Sequence, residues 1–589
     1  MKPRYWLYVF LTILTGIRLL YGAHNALFPD EAYYSMWSQR LDWSYFSKGP
    51  GVALIIRAGT DLFGMNEQGI RFFSPLFGLG TSLLMFFLAR RLYGESIGIW
   101  TVVAMNTIPI FQVGGVIMTI DPVSVFFWAA ALCTFWMALE QSPKFSLYWP
   151  LTGLLIGAGF LAKYTNAMEL ISILLVLGLT PRYRREFARP GFYLMLVVFL
   201  LCTLPVVIWN QQHEWITFFH LKARGGLDHP TGFHPTEFLV YLGMHLGVYS
   251  PLSFIGFLVA LWWGWGQAKT HFKARFLLYF SLPLLVMYFL LAFKKAGEPN
   301  WTGPAFVSLL ILATAFWHEK AKESVGARRY AIAALSLGLV MGLLILNSEA
   351  VRSLGIPWPY SMDPGARMRG WKTAAEKVEE IRKQFEIESG KPAFLIGNSY
   401  GTCASLAFYM KDKRVEGPKH PPVYIPESQN LENQFSFWPR YDEISDYRQI
   451  AADFLATLEV SGTQGTGDGG MQTDKRKALA DALHDLPADD AQVDPVKSEA
   501  AWRHFLQALQ AAIPSLPIVE YASEEHGTNF FLGRNALYIT DRSEERPPTS
   551  IKGGFERAEM IALFDVKRRN ETLHQVRVFA CYNYRSVPL

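Results

Sequence analysis

Residues 148–180, YWPLTGLLIGAGFLAKYTNAMELISILLVLGLT from Tyr148 to Thr180, decide how the chain is threaded. A membrane span needs about 20 mostly apolar residues, because the hydrocarbon core is roughly 30 Å thick. At about 1.5 Å per residue this run is too long for one upright helix and short for two. Lys163 stands at its middle. An ammonium between apolar helices is costly unless it sits at an interface or has a partner. The reading is two short helices that meet at Lys163-Tyr164.

The remaining apolar runs agree with a double crossing there. Runs near 5–22, 70–89, 97–118, 122–140, 191–209, 238–265, 274–293, 301–317 and 328–347 predict the other spans, for about eleven in all. Short loops rich in Lys and Arg stay cytoplasmic. Lys2 and Arg4, Arg90-Arg91, Lys144, Arg182 to Arg189, Lys269 to Arg275 and Lys320 to Arg329 fall in every second loop only if 148–180 crosses twice. The N-terminus is then inside. Segments 23–69, 210–237 and 294–300 face outward, with the turns at Asp121 and Lys163. The first run has a basic start and no small-residue cleavage site behind it, so it is expected to stay as an anchor.

Composition divides the chain in two. Only 18% of the 589 residues are charged, against about 25% in soluble domains. The deficit belongs to residues 1–347, while 348–589 read as ordinary soluble protein. The net charge of +5 resides in short loops and calls for no nucleic acid. The expected fold is a mainly α polytopic membrane domain, 1–347, followed by a small soluble α/β domain, 348–589, outside the cytoplasm. In the latter, Trp371 to Phe385 has helical period, and Ala393 to Ile396, Ala536 to Ile539 and Gln575 to Tyr582 read as strands. The stretch 461–500 has the composition of a flexible insertion. Gly397-Asn398-Ser399-Tyr400-Gly401 lacks the Lys-Ser/Thr ending of a phosphate loop and reads as a strand-to-helix turn. Cys133 and Cys202 lie in apolar runs. Cys403 and Cys581 share the soluble part, as two buried thiols or, if the last strand returns beside the first, a disulfide.

The unusual polar residues gather in the outward segments. Asp30-Glu31 follows the first span, and Asp121 precedes Pro122 at the next outward turn. Carboxylates there act as bases or bind cations; as solvated acids or helix caps they do neither. Lys48, in Tyr45-Phe46-Ser47-Lys48-Gly49-Pro50, suits a phosphate, with a snorkelling surface lysine as the alternative. Lys294 and Lys295 add cations near Glu298, Asn300 and Trp301. Arg57 and Arg71 either bind anions or mark the interface. Together these groups describe an outward cavity for a phosphate-bearing lipid. No C-x-x-C occurs, so zinc is not indicated.

Several short motifs carry a resemblance. They are Pro29-Asp30-Glu31-Ala32-Tyr33-Tyr34, Tyr45 to Pro50, Ala162-Lys163-Tyr164-Thr165, Trp209 to His213, Glu298-Pro299-Asn300-Trp301, Arg369-Gly370-Trp371 and Leu406 to Tyr409. In this order they resemble the GT-C fold membrane glycosyltransferases. The nearest branch is the bacterial family 39 group, related to protein mannosyltransferases and to the lipid A aminoarabinose and galacturonic acid transferases. The resemblance implies an inverting transfer of sugar from a polyprenyl-phosphate donor to a lipid, glycan or protein acceptor, in the bacterial inner membrane. It makes Asp30 the base, with Glu31 supporting it or binding the acceptor, and assigns the donor phosphate to Lys48, with Lys163, Lys294 and Lys295. Asp121, Tyr33, Tyr34, Glu298, Asn300 and Trp301 then contact substrate. The mannosyltransferase branch has His-Pro-Pro near the position of Lys48; this sequence lacks that histidine there, which weighs against a protein mannosyltransferase. No cofactor is certain, and a divalent metal stays open because related enzymes differ. The alternatives are a flippase or a non-catalytic binder of lipid-linked sugars.

Overall fold

The computed structural model describes residues 3–227, 232–353, 355–356, 358–360, 363–416, 419–428, 430–443, 445–446, 448, 451–452, 454–455, 469–486, 495–513, 527–529 and 531–585. The chain forms two compact units. One is Met1–Trp371 with Lys567–Leu573, and the other is Lys372–Val566 with His574–Leu589.

The first unit is helical. It begins with α1 (Pro3–His24), followed by α2 (Pro29–Gln39), α3 (Gly51–Phe63) and α4 (Glu67–Arg71). Then come α5 (Phe73–Tyr93), α6 (Glu95–Thr107), α7 (Pro109–Gly114), α8 (Ile120–Gln141), α9 (Tyr148–Ala162), α10 (Met168–Leu179), α11 (Pro190–Gln212) and α12 (Ile216–Arg224). The unit continues with α13 (Pro235–Tyr249), α14 (Pro251–Gln267), α15 (Phe272–Leu291), α16 (Gly303–Glu323) and α17 (Val325–Leu346). Prolines at the first position of α2, α7, α11, α13 and α14 start helices where a missing N–H costs nothing.

Burial ranks these helices. The apolar window of α8 is 78% buried and that of α17 only 11%, so α8 is central and α17 faces lipid. Against α8 and α11 lies α9. Its Gly153 and Gly157 meet the Met195 carbonyl and Cys202 directly, and a side chain at either position would collide. Trp128, Phe135, Trp149 and Phe276 belong to the same core.

Among the described residues, seven helices are long and apolar enough to cross a membrane, or up to nine if each bent pair is one span. This is a multi-span membrane protein with fewer full-length spans than the expected eleven. The shortfall has local causes. Pro109 ends α6 at Thr107 and splits the run 97–118. The run 238–265 bends by 110° at Ser250-Pro251. In α9 there are only 15 residues. The run 148–180 does break at Lys163, whose extended backbone, φ −147°, leads into a 3-10 turn, Tyr164–Ala167.

In the second unit, β1 (Ala393–Gly397), β4 (Asn535–Thr540), β5 (Phe555–Arg568) and β6 (Glu571–Tyr584) form a sheet in the order β1-β4-β6-β5. A separate pair is made by β2 (Ser445–Asp446) and β3 (Gly527–Thr528). Strands β1 and β4 are buried along their whole length, which suits parallel neighbours. The long strand β5 was not read from sequence. Its residues alternate poorly because most are exposed. Arg569 and Asn570, both at positive φ, turn β5 into β6. Strand β6 returns beside β4, not β1, so the premise of a Cys403–Cys581 bridge fails. Both cysteines are free and buried, and the Cys403 thiol donates to the Tyr424 carbonyl at 3.1 Å. Within the stretch 461–500, residues 461–468 and 487–494 lie outside the described residues. Gly469–His484 is a helix and Pro495–Ala512 another, and they pack through Leu479, Ala482, Phe505 and Leu509.

Candidate active site

A buried ion pair joins α4 to the start of α2. Arg71 donates through Nε to Glu31 Oε1 at 2.7 Å and through Nη2 to Oε2 at 2.5 Å. The rest of its fork holds the carbonyls of Gly22, Asn25 and Ala26 at the end of α1. Glu31 also accepts from the backbone N–H groups of Phe28 and Met118, both at 2.9 Å. All its acceptor positions are engaged and it is fully buried. Glu31 therefore anchors the start of α2, the helix that carries Asp30. Arg71 is likewise structural. Arg57 pairs with Asp61 on an exposed helix face.

One residue earlier, Asp30 is half-buried and helps hold the charge on Lys48. Tyr33 and Tyr34 are buried against Trp37, with ring centroids 5.0 and 4.9 Å away. That packing fixes α2.

Lys48 is delivered by a tight loop. Tyr45 N–H and the Ser44 hydroxyl both donate to the Lys48 carbonyl, at 2.9 and 3.2 Å. Tyr45 stacks on Trp37 at 4.3 Å. Gly49 and Gly51 pass directly over Leu161 and Ala162, so a Cβ at either would strike α9 backbone. The loop therefore brings Lys48 toward Lys163. Burial, Lys163 and Arg224 push the Lys48 ammonium down to about 8, while Asp121 and Asp30 oppose that shift.

Lys163 donates to Asp121 Oδ1 at 2.7 Å, and Asn300 Nδ2 donates to Oδ2 at 2.7 Å. Lys163 also reaches the Asn300 carbonyl at 3.4 Å. Three expected site residues thus converge, but Lys163 is committed to a carboxylate. Behind Asn300, Thr302 bonds to His245 at 2.9 Å and to Tyr249 at 3.3 Å, which braces the turn Pro299–Thr302 on α13. Trp301 stands beside Tyr288 and under the Arg224 guanidinium, 5.5 Å from its ring centroid. Glu298 is exposed. Lys294 and Lys295 lie over Gly226, and neither makes an ion pair among the described residues. Among the described residues no group of three or more His, Cys, Asp or Glu converges to hold a metal ion.

The profile of the dolichyl-phosphate-mannose-protein mannosyltransferases matches residues 47–209. A lipid A galacturonosyltransferase, RgtD, of Rhizobium johnstonii is 30% identical over 317 residues, 53% of this chain and 65% of that protein. An undecaprenyl phosphate-alpha-4-amino-4-deoxy-L-arabinose arabinosyl transferase of Erwinia tasmaniensis is 28% identical over 306 residues, 48% of this chain and 54% of that one. The chain thus spans less than two thirds of these relatives' length. The crystal structure of ArnT from Cupriavidus metallidurans superposes with a TM-score of 0.56 at 16% identity, over 98% of both chains. This chain has the GT-C fold.

The GT-C resemblance read from motifs is the one these comparisons return. In this GT-C frame two residues of α12 were missed by sequence reasoning. Arg224 is the last residue of the helix, over Trp301, and His220 packs on Phe46 at 4.5 Å. Burial, Lys48 and Arg224 push the His220 imidazole down to about 4, so it is neutral at pH 7. Its buried Nε2 has no hydrogen-bond partner among the described residues. The available signal was a His and two cations, Lys222 and Arg224, close together in one segment between apolar runs. Arg369, from the Arg369-Gly370-Trp371 motif, pairs with Asp363 at 2.5 Å and Glu349 at 3.6 Å, a structural role.

Proposed function

We propose that this GT-C protein is an inverting glycosyltransferase that moves a sugar from a polyprenyl-phosphate donor to a hydroxyl of a lipid A-type glycolipid. The reaction takes place at the outer face of a bacterial inner membrane, with the second unit on that side. Lys48 carries the reading. It is a half-buried ammonium between Lys163 and Arg224, answered by Asp30 and Asp121, in a fold that is also seen bound to undecaprenyl phosphate in the Cupriavidus protein. The names of the two relatives support lipid A and a polyprenyl phosphate as partners.

The chemistry needs a base and a cation. The acceptor oxygen attacks the anomeric carbon from the face opposite the phosphate, and Asp30 takes its proton. The bond from the anomeric carbon to the phosphate oxygen breaks, and its electron pair leaves with the polyprenyl phosphate. Lys48 meets that growing charge. Lys163 holds Asp121 and Asn300 in place, while Trp301 and Arg224 border the sugar. Lys294, Lys295 and Glu298 lie farther out, where a charged head group enters.

Purified protein, given a polyprenyl-phosphate donor labelled in its sugar and lipid A, tests the reading. Label should move to lipid A with release of polyprenyl phosphate. Donor recovered intact, or moved across a liposome without cleavage, would overturn it in favour of a binder or a flippase.

A further inference from the structure

A second cavity lies along the half of α16 remote from Asn300. It has a volume of about 470 Å³ between α6, α14, α16 and α17, within the usual range of about 300–1,000 Å³ for small-molecule pockets. Ala104, Ile108, Phe257, Leu310 and Leu335 line it. Trp317 and Tyr330 also line it and stack at 4.5 Å. Their polar atoms are already used, Trp317 on the Gly256 carbonyl at 3.1 Å and Tyr330 on the Leu252 carbonyl at 2.7 Å. The aromatic pair thus offers the cavity only apolar surface.

One border of the cavity is cationic. Lys322 and Arg328 line it, and both are exposed. The connection they flank carries Lys320, Lys322, Arg328 and Arg329 against Glu319 and Glu323. Those two glutamates pair with Lys322 and Lys320. The Arg328 side chain has no hydrogen-bond or ion-pair partner among the described residues. It sits in the first turn of α17, where the helix dipole also favours an anion.

An apolar groove within the spans, ending at an unpaired arginine, matches one chemistry: a fatty chain joined to a phosphate. We propose that this groove holds an acyl chain of an anionic phospholipid, with its phosphate at Arg328. The site is independent of the transfer reaction. Its basic border belongs to the loop series read as cytoplasmic, so the lipid is one of the inner leaflet.

Native mass spectrometry of the full chain in detergent tests this with phosphatidylglycerol and phosphatidylcholine of identical chains. Wild type should retain phosphatidylglycerol preferentially. Arg328→Gln should weaken that retention about fivefold, the equivalent of about 1 kcal/mol per cation at an anionic surface, and leave phosphatidylcholine unchanged. Ala331→Trp, which fills the groove, should abolish retention. Equal retention of the two lipids by wild type, or an unaffected Ala331→Trp protein, would overturn the site. Displacement by equimolar undecaprenyl phosphate would assign the groove to the donor's tail and overturn it too.

Discussion

Glu31 accepts hydrogen bonds from Arg71, Phe28 and Met118, whereas Asp30 remains half-buried in the field of Lys48. Two adjacent acids therefore sit in different environments. Asp30→Asn should lower transfer about 10²–10⁴-fold, the usual contribution of a general base, and leave donor binding intact. Single-turnover rates and donor affinity measured together check this; a rate within tenfold of wild type would remove Asp30 from the chemistry. Lys48 supplies a second test. Its ammonium is pushed down to about 8, and a phosphodiester donor keeps its charge over that range. Donor affinity should hold below pH 8 and fall as pH rises past it, because only the protonated amine attracts the phosphate. The dependence should vanish in Lys48→Ala, and a pH-independent wild type would exclude Lys48 as the phosphate contact. These residues were legible as types at suggestive positions. Arg224 and His220 were not, because nothing in the order of residues shows that α12 lies beside Lys48.

The elements that carry the site are short and held by close backbone approach. The turn at Lys163 ends α9, and Gly49 and Gly51 let the Lys48 loop lie on Leu161 and Ala162. The Arg71 fork joins α4 to α1 and α2. Breaking such a buried pair by removing one partner costs about 3–5 kcal/mol, because the other charge is left buried. Glu31→Gln should therefore lower the thermal unfolding midpoint in detergent, while Asp30→Asn leaves it near wild type. An undisturbed midpoint in Glu31→Gln, with activity lost, would return Glu31 to the chemistry. The break at Lys163 was legible because a lysine inside an apolar run has few tolerable places. The break at Thr107 was missed, although Pro109 marks it.

For the molecule as a whole, the alternation of basic loops predicts an orientation with the second unit outside the cytoplasm. A periplasm-active reporter fused after Leu589 should be functional, and a cytoplasm-active one silent. The reverse would place the second unit inside and overturn the outward site. The sequence by itself determined the membrane class, the division into an apolar and a soluble part, and the candidacy of Asp30, Lys48, Asp121 and Lys163. Those follow from hydropathy and charge, which act locally along the chain. Only the tertiary structure decided that Lys163 holds Asp121 and Asn300, that Glu31 is consumed by Arg71, and that β4 separates β1 from β6. Each of these depends on which distant residue meets a polar group as it leaves water, and packing alone makes that choice.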